Sequence, residues 1–163
     1  MKKTLTAIGI LSFVSAMAYG EPRSASPLKA IGAFVAISVG DLDASARWYS
    51  EKLGLQVVKQ EPKQDGAAVA VLEGDGVIVE LIQLDAAQPL SKAAPEVTKP
   101  DLVHGISKAG ILVNDFERAL ATLRARKIEI AYGPFPARPG ERANVIVRDN
   151  SGNLLQFFGA AGR

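Results

Sequence analysis

Cysteine is absent from all 163 residues. That one absence removes disulfides, thiol nucleophiles and cysteine-built zinc sites, and leaves stability to packing alone. Histidine occurs once, at His104, and no Ser-His-Asp constellation, phosphate-binding loop or haem motif can be assembled. Neither charge sign dominates, with 19 Lys and Arg against 17 Asp and Glu, and Lys2 and Lys3 account for the surplus. A balanced chain of this kind gives no footprint for nucleic acid or an anionic membrane. Only one long apolar run exists, residues 5–17, and it stops at Gly20-Glu21-Pro22-Arg23-Ser24, short of the roughly 20 residues a spanning helix needs. Preceded by two lysines and followed by small residues, it reads as a secretory signal peptide over residues 1–20, cleaved after Ala18 or after Gly20. The expected protein is exported, periplasmic or secreted, and free of the membrane after cleavage. What remains, about 145 residues of a chain that is 48% hydrophobic, fills one compact domain or two joined half-domains.

Turn-forming residues divide that remainder. Residues 34–39 are rich in β-formers and end at Gly40-Asp41, where Asp41 can cap a helix whose apolar positions Leu42, Ala46, Tyr49 and Leu53 recur until Gly54. Residues 56–61, 67–72 and 77–84 then read as three strands, parted by turn-rich residues 62–66 and by Glu73-Gly74-Asp75-Gly76. Residues 85–103 carry Pro89, Pro95 and Pro100 with no sustained period, the pattern of a linker or flap. Beyond it the order returns. Residues 107–113 form a strand, Asp115 a cap, Phe116, Ala119, Leu120 and Leu123 a helix face, and three strands follow near 128–132, 143–148 and 153–158. Val39-Gly40-Asp41-Leu42 is echoed by Val113-Asn114-Asp115-Phe116 at an offset of 74 residues. The sequence therefore predicts an α+β fold of two βαβββ modules, 33–84 and 104–159. Each is too small to bury its own sheet, so the pair is expected to meet around a pseudo-twofold axis as one concave eight-stranded sheet with helices outside.

These residues resemble the vicinal oxygen chelate superfamily, which holds glyoxalase I, bleomycin-resistance proteins and extradiol dioxygenases. The first-module signature is carried by Val39-Gly40-Asp41-Leu42, Ser45, Trp48-Tyr49 and Leu53-Gly54-Leu55. The second-module ending is carried by Gly133-Pro134-Phe135 and Arg148-Asp149-Asn150-Ser151-Gly152-Asn153-Leu154. The resemblance implies four metal-ligand positions, usually His, Glu, His and Glu with Gln an occasional substitute. They fall here on Phe34, Glu80, Lys108 and Gln156. A divalent ion wants three or four donors; a phenyl ring supplies none and a lysine ammonium repels it. No metal and no other cofactor is therefore expected, and His104 reads as a surface residue rather than a replacement ligand. The resemblance also leaves two assemblies open, a homodimer and a single chain that closes its own site.

Placing Glu80 inward, as the resemblance implies, sets its neighbours by strand alternation. Phe34, Ala36 and Ser38 would line the cavity from the first strand, and Ile78, Glu80 and Ile82 from the fourth. Lys108, Gly110 and Leu112 would line it from the fifth, and Leu154, Gln156 and Phe158 from the eighth. The ligand-binding set so defined is Phe34, Ser38, Glu80, Lys108, Leu112, Gln156 and Phe158, an apolar pocket in which Glu80 and Lys108 are expected to pair. Trp48 and Tyr49 read as packing residues, Arg138, Arg142 and Arg148 as a solvated rim, and Tyr132 as a residue at the pocket mouth. Three functions follow from this pattern. One is a metal-free protein that binds a small, partly apolar molecule. Another, implied by the resemblance, is a lyase, isomerase or dioxygenase of the glyoxalase I type with Glu80 as catalytic base or as a divergent metal ligand, or with His104 recruited to the metal. The third is an interaction domain working through the flap at 85–103.

Overall fold

The computed structural model describes residues 32–99 and 102–160; the signal-like segment at 1–20 lies outside the described residues. Two modules follow one another, and each opens with a strand that runs parallel to its own last strand. In the first, β1 (Val35–Ser38) leads into α1 (Leu42–Trp48), a π-helical turn (Tyr49–Leu53), then β2 (Gln56–Gln64), β3 (Ala67–Gly74) and β4 (Val77–Leu84). In the second, β5 (Ala109–Leu112) leads into α3 (Phe116–Ala125), β6 (Glu129–Phe135), β7 (Asn144–Arg148) and β8 (Leu154–Phe158). Between them lies α2 (Leu90–Ala93), one turn of helix within the expected flap. The two-module α+β architecture is as expected. The eight strands, however, are hydrogen-bonded as two four-stranded sheets, β1-β4-β3-β2 and β5-β8-β7-β6, and not as one continuous sheet. Among the described residues β1 and β5 are each left with one edge that no strand covers.

Alternation explains which faces are buried. Ile37, Leu81 and Ala70 lie in one row across β1, β4 and β3, and Val79 and Leu72 in the next. All five are buried beneath α1 with Val39 and Ala68. Each large aliphatic side chain removed from water in this way contributes about 1.5–3 kcal/mol. Val145, Val147, Leu155 and Phe157 repeat the pattern on the second sheet, and Leu120 and Leu123 of α3 are buried in the same cluster. The two sets form a single core cluster, so neither sheet is buried by its own module alone.

Local chemistry closes each element. Asp41 accepts from the Ala44 amide at 2.9 Å and Asp115 from the Arg118 amide at 2.9 Å, the same N-cap repeated 74 residues apart. Gly54 ends the first helix at φ 80, and Lys127 takes the left-handed position after the second at φ 55. The first helix holds one residue more between cap and stop, and the π-helical turn absorbs it. Asp65-Gly66 and Asp75-Gly76 have positive φ at both residues, the geometry that matches a two-residue hairpin to the twist of its strands. β2 runs three residues past the expected 56–61, through Pro62. It can do so because β2 is an outer strand whose register shifts between Glu61 and Gln64, where a proline costs no ladder bond.

The pseudo-twofold relation is visible in side chains. Lys52 donates its ammonium to the Arg126 carbonyl at 2.7 Å, and Arg126 donates Nη1 to the Lys52 carbonyl at 2.9 Å. These residues are themselves 74 apart, so equivalent positions of the repeat bond to each other reciprocally. Strand register agrees. Ala36 sits opposite Glu80 and Gly110 opposite Gln156, making Glu80 and Gln156 counterparts in their sheets.

Candidate functional site

The two motifs that carry the sequence resemblance meet in space. Ser45 and Tyr49, four residues apart on the first helix and both buried, face the β7–β8 turn at residues 149–153. Tyr49 donates its hydroxyl to Asp149 Oδ2 at 3.0 Å. Ser45 Oγ accepts from the Asn150 amide at 3.1 Å and shares a 3.2 Å bond with Ser151 Oγ. Asp149 Oδ1 takes the backbone N–H groups of Ser151 and Asn153 at 2.9 and 2.8 Å, and Oδ2 also takes Asn153 Nδ2 at 2.9 Å. Asp149 thus folds its own turn and fastens it to the first module. Among the described residues every buried side-chain polar atom has a partner, as a polar junction inside a core requires.

Burial first, and then the neighbouring Asp149 carboxylate and its hydrogen bond, push the Tyr49 hydroxyl pKa above its ordinary value. A raised folded-state pKa means the stabilisation is complete below about pH 10, where tyrosine is neutral in both states, and is lost as pH climbs through the folded value. Unfolding free energy should therefore fall above about pH 10 by up to about 1.4 kcal/mol per pH unit from this group. Urea unfolding across that range will show the slope, and Tyr49→Phe should flatten it. An identical alkaline slope in the variant would assign the titration elsewhere.

Beside this junction a cavity of about 730 Å³ opens between the modules. One wall is β1 and the corner after it, residues 35–41 with Ala44. The opposite wall is Ile106, Ser107, Lys108 and Ala109 with the turn and strand start at 150–154. Residues 87–90, running into α2, close a third side. The Asn153 amide reaches across to the Ser38 carbonyl at 3.5 Å.

Of the seven expected ligand-binding residues, Ser38 and Lys108 line this cavity and the other five do not. Phe34 precedes β1 and is 65% exposed, and Leu112 at the end of β5 is 71% exposed. Glu80 is half-buried on the first sheet, in a row with Ala36, Val71 and Lys59. Lys59 bonds to Glu61 at 2.7 Å, and that bond, then the Glu61 charge, with Glu80 adding to them, raises the pKa of its ammonium. Gln156 is buried and donates to Asn144 Oδ1 at 2.9 Å, and Phe158 is half-buried at the end of β8. The expected Glu80–Lys108 ion pair does not form. Lys108 lies just before β5 and is exposed, so water and not Glu80 serves its charge. Tyr132 and Phe135 are exposed on β6, Arg148 pairs with Glu129 at 3.0 Å, and His104 is exposed.

Sequence reasoning missed Asp41, Ser107, Asn150, Ser151 and Asn153 as wall residues. A signal for most of them was present: the Gly40-Asp41 corner of the repeat and the Asp149-Asn150-Ser151-Gly152-Asn153 turn are polar, turn-forming segments joined to apolar strands. Such loops carry recognition more often than strands do.

The donor set does not fit a metal. Among the described residues no three His, Cys, Asp or Glu side chains come together. At the four positions implied by the resemblance stand a phenyl ring, a carboxylate, an exposed ammonium and an amide already bonded to Asn144.

The sequence profile of the Glyoxalase/Bleomycin resistance protein/Dioxygenase superfamily matches residues 32–157. The chain belongs to this superfamily. Solved structures agree on its fold. A glyoxylase/bleomycin resistance protein/dioxygenase domain from Frankia sp. EAN1pec is similar at 19% identity and a TM-score of 0.62, over 78% of this chain and 90% of that one. A glyoxalase family protein from Enterococcus faecalis is similar at 21% identity and a TM-score of 0.60, over 77% and 94%. Glyoxalase I from Zea mays is similar at 21% identity and a TM-score of 0.57, over 78% of this chain and 43% of the longer enzyme. Among curated proteins no relative matches the sequence. Identities this low carry the superfamily fold to this chain and no particular activity.

Proposed function

We propose that this superfamily member is an exported protein that binds a small, partly apolar molecule in the cavity between its modules, without a divalent metal. The observation that carries the reading is the cavity itself. At about 730 Å³ it falls within the range that holds drug-sized ligands, and both modules contribute to its walls. Ala36, Leu90, Ile106 and Leu154 supply apolar surface, while Ser38, Ser107, Asn150 and Asn153 supply orienting polar groups. Absence of a metal is supported by the donor set, since two of the four implied positions hold Phe34 and Lys108. Export is supported by the signal-like segment at residues 1–20. The alternative, a lyase or isomerase with Glu80 as base, asks for a carboxylate at the substrate, and Glu80 does not line the cavity.

Displacement of an environment-sensitive dye such as anilinonaphthalene sulfonate by a small-molecule library, before and after chelation, tests the proposal. Binding should survive exhaustive chelation unchanged, with elemental analysis finding divalent metal far below one per chain. Stoichiometric metal whose removal abolishes binding would overturn the metal-free reading. A library without a single binder would overturn the binding role.

A further inference from the structure

The cavity wall made by β1 has an unusual composition. Residues 35–41 line it consecutively, odd and even positions alike. Side chains of a strand alternate between faces, so an unbroken run marks the strand's edge, not one of its faces. That edge is the one no other strand covers among the described residues. Val39 donates to the Ile82 carbonyl at 2.9 Å. In a parallel ladder the bonding residues alternate, so Val35, Ile37 and Val39 aim their backbone groups at β4 while Ala36 and Ser38 aim theirs into the cavity. The Ser38 carbonyl takes the Asn153 amide at 3.5 Å. The Ala36 N–H and carbonyl and the Ser38 N–H have no partner among the described residues. Donor, acceptor and donor are thus spaced along a wall at strand repeat.

Charge in the cavity is as specific. Among the described residues its lining contains two charged ones, Asp41 and Lys108. Asp41 is committed to capping the first helix. Lys108 has no carboxylate within ion-pair distance among the described residues, where the ion pairs are Lys59–Glu61, Lys63–Asp85 and Arg148–Glu129. Lys108 lies one residue before the Ala109–Leu155 pair, as Leu154 does on β8, next to the Asn153 that touches Ser38, so this cation lies toward the Ser38 end of the edge.

The geometry points to a peptide-like carboxylate as the ligand, a short peptide or N-acylated amino acid whose amide lies along the free edge of β1 and whose carboxylate meets Lys108. This inference rests on the binding reading above and deepens it. A ligand amide returns an acceptor and a donor to Ala36 and Ser38 in the manner of an added strand. Its carboxylate makes a charge-assisted bond to Lys108, and its side chains meet the apolar surface of Ala36, Leu90 and Ile106. A fatty acid would satisfy Lys108 but leave the edge groups buried and unbonded, at the cost that attends any unmet buried donor.

Titration calorimetry with N-acetylated dipeptides of apolar side chains separates these features. The free acids should bind, while their C-terminal amides and the analogues N-methylated at the internal amide should each bind about tenfold more weakly or worse. Lys108→Met should weaken the acid to the level of the amide and leave the amide unchanged. Because Lys108 is exposed, the variant keeps its fold, which its unfolding midpoint verifies. Equal binding of the acid and its N-methylated analogue would overturn the edge-pairing inference. If no peptide displaces the dye while an apolar non-peptide does, the peptide class falls and the cavity reading stands. If neither binds, both fall together.

Discussion

Asp149→Ala is expected to lower the free energy of unfolding by about 3–5 kcal/mol, a large fraction of the stability of a domain this size. The carboxylate is 5% exposed and receives four hydrogen bonds, two from its own turn's backbone, one from Asn153 and one from Tyr49. No cation lies within ion-pair distance of it among the described residues, so these donors are what stabilise its charge. Truncation orphans the buried Tyr49 hydroxyl and frees the turn that joins the modules. Each unmet buried donor costs about 1–3 kcal/mol. Asp149→Asn keeps the shape but exchanges one acceptor for a donor and should fall between wild type and alanine. Tyr49→Phe removes one bond and should cost about 1–2 kcal/mol. Combining Tyr49→Phe with Asp149→Ala should cost less than the sum, because the shared bond can be lost only once. Urea unfolding of the four variants beside wild type checks the series; a loss under about 1 kcal/mol for Asp149→Ala would show that the turn is not what holds the modules together.

The architecture was legible in the sequence for local reasons. Asp41 and Asp115 announce their helices through capping chemistry that acts over three residues. Asp65-Gly66 and Asp75-Gly76 announce hairpins through φ, and alternation in β4 leaves Val79 and Leu81 on the face opposite Glu80, where both are buried. The site was less legible, and for a different reason. Alternation says which side chains share a face, but what that face meets depends on how two sheets are set against each other. With the strands in two separate sheets, the cavity runs along the β1 edge, and Glu80 is left on the sheet face behind Ala36. Gln156 was assigned to an open pocket, yet it lies on the same face as Asn144 one strand away, close enough for their amides to pair. The bonds from Tyr49 to Asp149 and from Ser45 to Asn150 span 100 and 105 residues, a separation at which no periodicity carries information.

The second large effect concerns binding. Ser38 and Ser107 stand on opposite walls of the cavity. Ser38 is exposed and Ser107 half-buried, so a large side chain at either place is tolerated at little cost to folding. Filling the cavity from one wall removes the volume a ligand needs. Ser38→Trp or Ser107→Trp should therefore weaken binding by about a hundredfold or more, a loss of at least about 2.7 kcal/mol. Glu80→Gln changes a residue on the sheet face outside the cavity and should leave affinity within about twofold of wild type.

The decisive measurement is the dissociation constant of one ligand, found by dye displacement, for wild type, Ser38→Trp and Glu80→Gln side by side. A ligand seated between the modules requires Ser38→Trp to abolish binding while Glu80→Gln binds as wild type does. Loss of binding in Glu80→Gln with Ser38→Trp unaffected would move the site to the sheet face and contradict the account.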